Sequence, residues 1–265
     1  MEVLLSPLRG EAFSRAAHRV TGAMIGVAVQ LLFVVTVWYL FWFLKDGALA
    51  MGGGSLLQDT FLALFFAVPH SLLLYPPVRR RLGRVIGPAF YGLFYAGVTC
   101  VSLLLVIFLW RPVGPMLWQA SGFVRYAIEA GFYASWIALA YSLHLTGLGF
   151  QTGLTPWLAW VRGTSQPRRA FAPRGAYRWM RHPVYLSFMG LLWFTPTMTL
   201  DHAVLTGVWT LYLFVGSWLK DRRLEHYLGD TYHEYQTQVT GYPLVGIGPL
   251  GKRRVATPAP QRQAA

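Results

Sequence analysis

Charged residues divide this chain into long blocks that contain none. No Asp, Glu, Lys or Arg lies between Arg19 and Lys45, Asp59 and Arg79, Arg84 and Arg111, or Glu129 and Arg162. Two shorter blocks follow, Arg181 to Asp201 and Asp201 to Lys220. A helix crosses a bilayer with about twenty predominantly apolar residues. The first four blocks therefore predict four spanning helices. The last two predict a C-terminal helical hairpin that turns near Asp201. This makes six crossings, or five with a re-entrant hairpin. The fold class is all-α and polytopic, with one integral-membrane domain over residues 1–243. Residues 244–265, built largely from Pro, Gly, Ala, Gln and basic residues, read as a disordered basic tail. The first ten residues lack the basic-then-apolar run of a cleavable signal, and the first apolar block is long enough to stay as a span.

Composition strengthens the membrane reading. Of 265 residues 55% are apolar and only 12% charged, against roughly 25% charged in a soluble domain. Such a chain is too apolar to be disordered except at its ends. The single Cys100 excludes a disulfide framework and a cysteine-based zinc site, and no metal is expected.

The net charge of +13 would suit nucleic acid, but its placement points elsewhere. Basic residues crowd four segments: Arg9 to Arg19, Arg79 to Arg84, Arg162 to Arg181, and Lys220 onward. The intervening segments hold only Lys45, Arg111 and Arg125. Six crossings put the four rich segments on one face, which the positive-inside rule makes cytoplasmic. Both termini are then cytoplasmic. The expected location is a bacterial inner membrane, although an organelle membrane obeys the same charge rule. The basic segments face anionic lipid heads. Membrane lipids are therefore expected partners, and nucleic acid is not.

Polar residues within spans need a reason. His70 follows Pro69. It either bonds a carbonyl freed by that proline or lines a substrate pocket. His144, near the end of the fourth block, orients a loop, lines a cofactor site or simply packs. Gly147, Gly149 and Gly153 do not make a phosphate loop, because their spacing is wrong and they follow a hydrophobic helix instead of a strand. Further along, Pro183 suits the first position of a helix. The free N–H groups and positive dipole of that helix start would seat a ligand carboxylate, flanked by His182 and Tyr185. Asp221 to Tyr235 forms a polar, aromatic helix on the same face, which alone could be a snorkelling interfacial helix.

Together, Arg181-His182-Pro183-x-Tyr185, the apolar hairpin and Leu224-x4-Gly229-x2-Tyr232-x2-Tyr235 resemble the signature of the integral-membrane methyltransferases. That superfamily includes isoprenylcysteine carboxyl methyltransferase and phospholipid methyltransferases. The hairpin from Trp193 to His202 resembles the methanethiol S-methyltransferases more narrowly. So do Pro69-His70-Ser71, Trp110-Arg111-Pro112 and His144-x4-Gly149, in the same order. The likeness runs from about Phe65 to Tyr242. It implies an S-adenosylmethionine site at the cytoplasmic face, with Phe171, Ala172, Tyr177, His182, Pro183, Val184 and Tyr185 around the cofactor. Asp221 would reach its amino or ribose group. Two positions depart from the family. Lys220 and Asp221 stand where paired glutamates are usual, and Ser187 stands where glycine is common.

The chemistry so implied is methyl transfer to a small thiol, methanethiol to dimethyl sulfide. Such an in-line displacement depends on alignment, which can supply roughly 7–11 kcal/mol of the barrier. The nucleophile must be a thiolate, and basic neighbours favour that form. The expected catalytic residues are His182 with Arg181 and His70, the latter two assisting thiol ionisation. Two other readings stay open: a lipid or prenyl-cysteine acceptor, and a non-catalytic membrane protein of the same fold. A transporter would show paired intramembrane charges and a two-fold repeat, and neither is present.

Overall fold

The computed structural model describes residues 6–49, 52–166, 170–246 and 248–253. Arg168, Arg169 and the end of the expected tail, residues 254–265, lie outside the described residues. The elements in order are α1 (Ser6–Asp46), α2 (Leu56–Leu74), α3 (Pro76–Ile86), α4 (Tyr91–Leu109), β1 (Met116–Gln119), α5 (Gly122–Thr146), α6 (Leu148–Gln151), α7 (Leu154–Arg162), α8 (Pro183–Trp193), β2 (Thr197–Thr199), α9 (Leu200–Leu228) and α10 (Asp230–Gln238). A helix satisfies its backbone internally, which lipid requires of any spanning segment.

Among the described residues, four helices are long and apolar enough to cross a bilayer: Ala17–Asp46 of α1, α2, α4 and α9. The all-α polytopic class therefore holds, but the fourth member differs from the expected one. The block from Glu129 to Arg162 is broken at Gly147, which adopts φ +77° and separates α5 from the short α6 and α7. α5 starts earlier, takes in Arg125 and Glu129, and contains no stretch as apolar as those of the four. The hairpin is uneven. α8 has 11 residues, about 16 Å at 1.5 Å per residue, against a hydrocarbon core of about 30 Å. α9 has 29 residues. Between the hairpin's arms, β2 pairs antiparallel with β1, with Met116 opposite Thr199 and Gln119 opposite Thr197. Sequence periodicity gave no sign of this short ribbon.

α4 packs against α1 and α2, α9 against α2 and α8, and α8 against α5. The shared core contains Phe43, Leu44, Val106, Ile107, Trp110, Leu191 and Leu205. Large apolar side chains such as Leu31, Trp38, Ile137 and Leu211 face outward, as lipid-facing residues do. The α5–α8 contact is close because Gly190 has no side chain. A Cβ there would lie 2.2 Å from Ser135 Oγ.

The basic segments meet at one end of the bundle. Tyr91 Oη at the start of α4 donates to Leu73 O at the end of α2. Phe90 stacks on Trp160 of α7, and Trp157 Nε1 donates to Gly22 O of α1. α3, with Arg79, Arg80, Arg81 and Arg84 all exposed, lies at this end. So does the chain after α10. Its Gly241 N–H donates to Leu250 O at 2.7 Å, and Arg253 N–H donates to Gln236 O at 2.9 Å. The tail expected to be disordered from residue 244 is thus a bound strap as far as Arg253.

Candidate active site

The site is built where α8 begins. Pro183 occupies the first turn of α8, and the two residues before it donate their backbone N–H groups to the strap. Arg181 N–H donates to Thr240 O and His182 N–H to Gly241 O, at 2.9 and 3.1 Å. Val239 to Gly251 therefore lies across the start of α8.

Arg181 is buried, and its guanidinium is fully engaged. Nε and Nη2 donate to Asp221 Oδ2 at 3.2 and 2.9 Å. Nη1 donates to Val239 O at 2.6 Å and Gly251 O at 3.1 Å. The other carboxylate oxygen, Asp221 Oδ1, accepts from Tyr232 Oη. This clamp ties α8, α9, α10 and the strap together. It changes two expected roles. Asp221 is held by Arg181 and Tyr232 instead of reaching outward, and each guanidinium nitrogen of Arg181 donates within the protein.

His182 is fully buried, and among the described residues neither ring nitrogen has an aligned hydrogen-bond partner. Nε2 comes within 3.1 Å of Asp221 Oδ1, but not in hydrogen-bonding alignment. Aromatic rings enclose the imidazole. Tyr185 stands edge-on at 5.5 Å and Tyr242 lies at 5.6 Å. Burial holds the imidazole down at about 4, against the opposing pull of Asp221. His182 is accordingly neutral at pH 7. Burial, reinforced by the Asp221 charge, pushes the Tyr232 phenol well up.

Beside this box is a second one. Lys220 Nζ lies 5.5 Å from the centroids of both the Tyr177 and Tyr185 rings. Aromatic faces attract cations at this distance. Tyr185 comes in close because Gly216 lacks a side chain; a Cβ there would lie 3.2 Å from Tyr185 Cε1. Tyr235 Oη donates to Tyr177 O at 2.5 Å, and the Phe171 ring packs on Tyr232 and Tyr235. Val184 packs on the bundle core, and Ala172 is exposed at the rim.

His70 is not bonded to a carbonyl freed by Pro69. Its Nε2 meets Tyr95 Oη and its Nδ1 meets Tyr212 Oη, each at 2.5 Å. A neutral imidazole donates from one nitrogen and accepts at the other, so one phenol accepts and the other donates. Tyr212, Gly216 and Lys220 are spaced by four and share one face of α9. His70 of α2 therefore abuts this stripe at Tyr212, two turns of α9 from Lys220. His144 is exposed at the end of α5 and makes no part of this assembly. Sequence reasoning missed Tyr95, Tyr212, Tyr242 and the strap. The i, i+4, i+8 spacing on α9 was the one local signal for any of them.

The gathered residues fit S-adenosylmethionine in two respects. The α8 start offers backbone N–H groups, and the buried His182 Nδ1 has no hydrogen-bond partner among the described residues.

Comparison with known proteins adds to this geometry. The family described as NnrU protein matches residues 60–248, a span that contains every side chain of the site above. The protein named methanethiol S-methyltransferase from Mycobacterium tuberculosis is 30% identical over 228 residues, covering 81% of this chain and 92% of the relative. Methanethiol S-methyltransferase 2 of Bradyrhizobium diazoefficiens is 28% identical over 187 residues, covering 71% and 72%. Nurim of Rattus norvegicus is 29% identical over 181 residues, covering 65% and 69%. No solved structure matches the chain.

Proposed function

The chain belongs to the NnrU protein family, and from that premise we propose that it is a membrane methyltransferase. In this reading it moves the methyl group of S-adenosylmethionine to methanethiol and releases dimethyl sulfide. The reaction takes place at the basic end of the bundle, facing the cytoplasm of a bacterial inner membrane, with both termini on that side. The observation that carries the proposal is the paired box at the start of α8. A fully buried His182, its Nδ1 unpartnered among the described residues, adjoins a Lys220 ammonium held against the Tyr177 and Tyr185 rings.

When bound, S-adenosylmethionine supplies a methyl group on a positively charged sulfur. Tyr177 and Tyr185, whose ring faces hold the Lys220 ammonium, would border the donor, and the first-turn N–H groups of α8 would suit its carboxylate. Phe171 and Ala172 border the cofactor, with Pro183 and Val184 at its base. His182, neutral at pH 7, hydrogen-bonds and orients a bound group. Arg181 and Asp221 position this wall from behind. Lys220 makes no ion pair among the described residues, and its ammonium favours the thiolate form of the acceptor. His70, between two phenols, takes the thiol proton along the α9 stripe. A donor held there would supply its methyl carbon to this thiolate sulfur, and the electron pair of the broken bond would stay with the donor sulfur.

The test is methyl transfer from labelled S-adenosylmethionine to methanethiol in membranes that contain the full chain, with His182→Ala as control. Dimethyl sulfide formed only by the intact chain supports the reading. Saturable cofactor binding without product transfers it to a lipid or prenyl-cysteine acceptor. Loss of both product and binding leaves a non-catalytic member of the fold, a reading that the strap across His182 favours. Within an active enzyme, Lys220→Met should raise the apparent pKa of kcat/KM and Lys220→Arg should restore it. Unaltered pH profiles in both variants would remove Lys220 from thiol ionisation.

A further inference from the structure

A groove of about 600 Å³ runs down the outside of the bundle between α1, α2 and α4. Its walls include Ile25 and Val29 of α1, Phe65 and Pro69 of α2, and the α4 residues from Phe90 to Leu105. Those α4 residues extend about 22 Å along the helix axis, more than one leaflet of a hydrocarbon core about 30 Å thick. Ser102 is the one polar side chain in the lining, and its hydroxyl already donates to Thr99 O. Phe65, Phe94, Val101 and Leu105 remain partly exposed, so the groove opens toward lipid. It exists partly because Gly97 has no side chain. The nearest atom to a Cβ there is Val29 Cγ2, at 3.8 Å.

At its basic end the groove is bordered by Ile86, the last residue of α3, and by Phe90. Four exposed arginines precede that border: Arg79, Arg80, Arg81 and Arg84. Arg79 lies over the Tyr91 ring at 5.6 Å and fixes α3 against the start of α4. No Asp or Glu occurs from Thr60 to Ile128, and α1 has none between Phe13 and Lys45. Among the described residues, α3 thus presents four exposed guanidinium groups, and none of them makes an ion pair. A long apolar slot that ends in unanswered positive charge is complementary to one molecule with a hydrocarbon chain and an anionic head.

We propose that this groove holds an acyl chain of an anionic phospholipid whose phosphate rests on the α3 arginines. Arginine suits phosphate through its forked donors. Bulk lipid of any kind would cover an apolar surface; the arginines make the site select for charge. The proposal is independent of methyl transfer, since it uses residues outside the His182 site.

The test uses the purified full chain, exposed to equal phosphatidylglycerol and phosphatidylcholine of matched chains. Retained lipid is counted by native mass spectrometry. The wild type should retain phosphatidylglycerol preferentially. Preference should fall about fivefold for each arginine neutralised, so Arg80→Gln, Arg81→Gln and Arg84→Gln together should abolish it. Gly97→Leu, which fills the slot, should reduce retention of both lipids. Equal retention by the wild type would overturn the proposal, as would an unchanged preference in the triple variant. Undiminished retention in Gly97→Leu would remove the groove from it. The triple variant alters only exposed side chains, so it remains informative if Gly97→Leu does not fold.

Discussion

At the scale of single residues, the site is governed by what burial does to polar groups. Arg181 and Asp221 are each 2% exposed, and removing one member of such a pair leaves a buried charge unanswered. Asp221→Asn should therefore destabilise by about 3–5 kcal/mol, read as a lower melting temperature in detergent. Asp221→Glu should retain part of the clamp. His182 gives a second expectation, in pH. Its folded pKa of about 4 lies below its ordinary value near 6.5. Below pH 6.5 the unfolded chain binds a proton that the folded one refuses, so stability should fall as pH drops toward 4. The loss approaches about 3 kcal/mol at the lower limit. Melting curves between pH 7 and 4 should slope less for His182→Phe than for the wild type, and equal slopes would contradict this account. The motif residues at 177–185, Asp221, Tyr232 and Tyr235 were legible in the sequence as one cluster, and they do assemble. Their division of labour was not legible. Whether a guanidinium faces a ligand or Val239 O depends on where the strap lies, and no local pattern encodes that.

At the scale of elements, charge-free blocks located the helices well but misjudged their ends. The helix boundaries at Gly147 and Pro183 follow from backbone chemistry that can be read directly: a left-handed glycine and a proline at the first turn. The unevenness of the hairpin could not be read that way, because β1 lies more than 75 positions before β2 and only tertiary pairing joins them. α8 is short and is held by α5 on one side and α9 on the other. Its seat depends on Gly190 lying against Ser135. Gly190→Ala should force the two helices apart and cost about 1–3 kcal/mol, the range for an overfilled contact. Adding Ser135→Gly should recover most of the loss. A double-mutant cycle with no coupling would mean that the close approach does not set the position of α8.

At the scale of the whole molecule, the chain closes its own site. Both edges of the cluster are sequence-distant: Arg181 reaches Gly251, and His182 lies against Tyr242 and Gly241. The expected end of the domain at residue 243 rested on composition. Pro, Gly and basic residues resemble a loose tail, yet here they satisfy buried donors and acceptors, which is a use that composition does not reveal. A chain ending at Arg253 keeps the Gly241–Leu250 and Arg181–Gly251 bonds, whereas one ending at Pro243 loses both. The first should melt as the full chain does. The second should melt lower, because Arg181 Nη1 loses an acceptor in a buried setting, at about 1–3 kcal/mol. It should also admit water to His182, whose pKa is low mainly through burial. The imidazole should then titrate nearer 6.5, a change that NMR of a histidine-labelled chain would report directly. If the chain ending at Pro243 keeps both its melting temperature and a His182 pKa near 4, the strap does not seal the site, and the burial of His182 is the work of the helices alone.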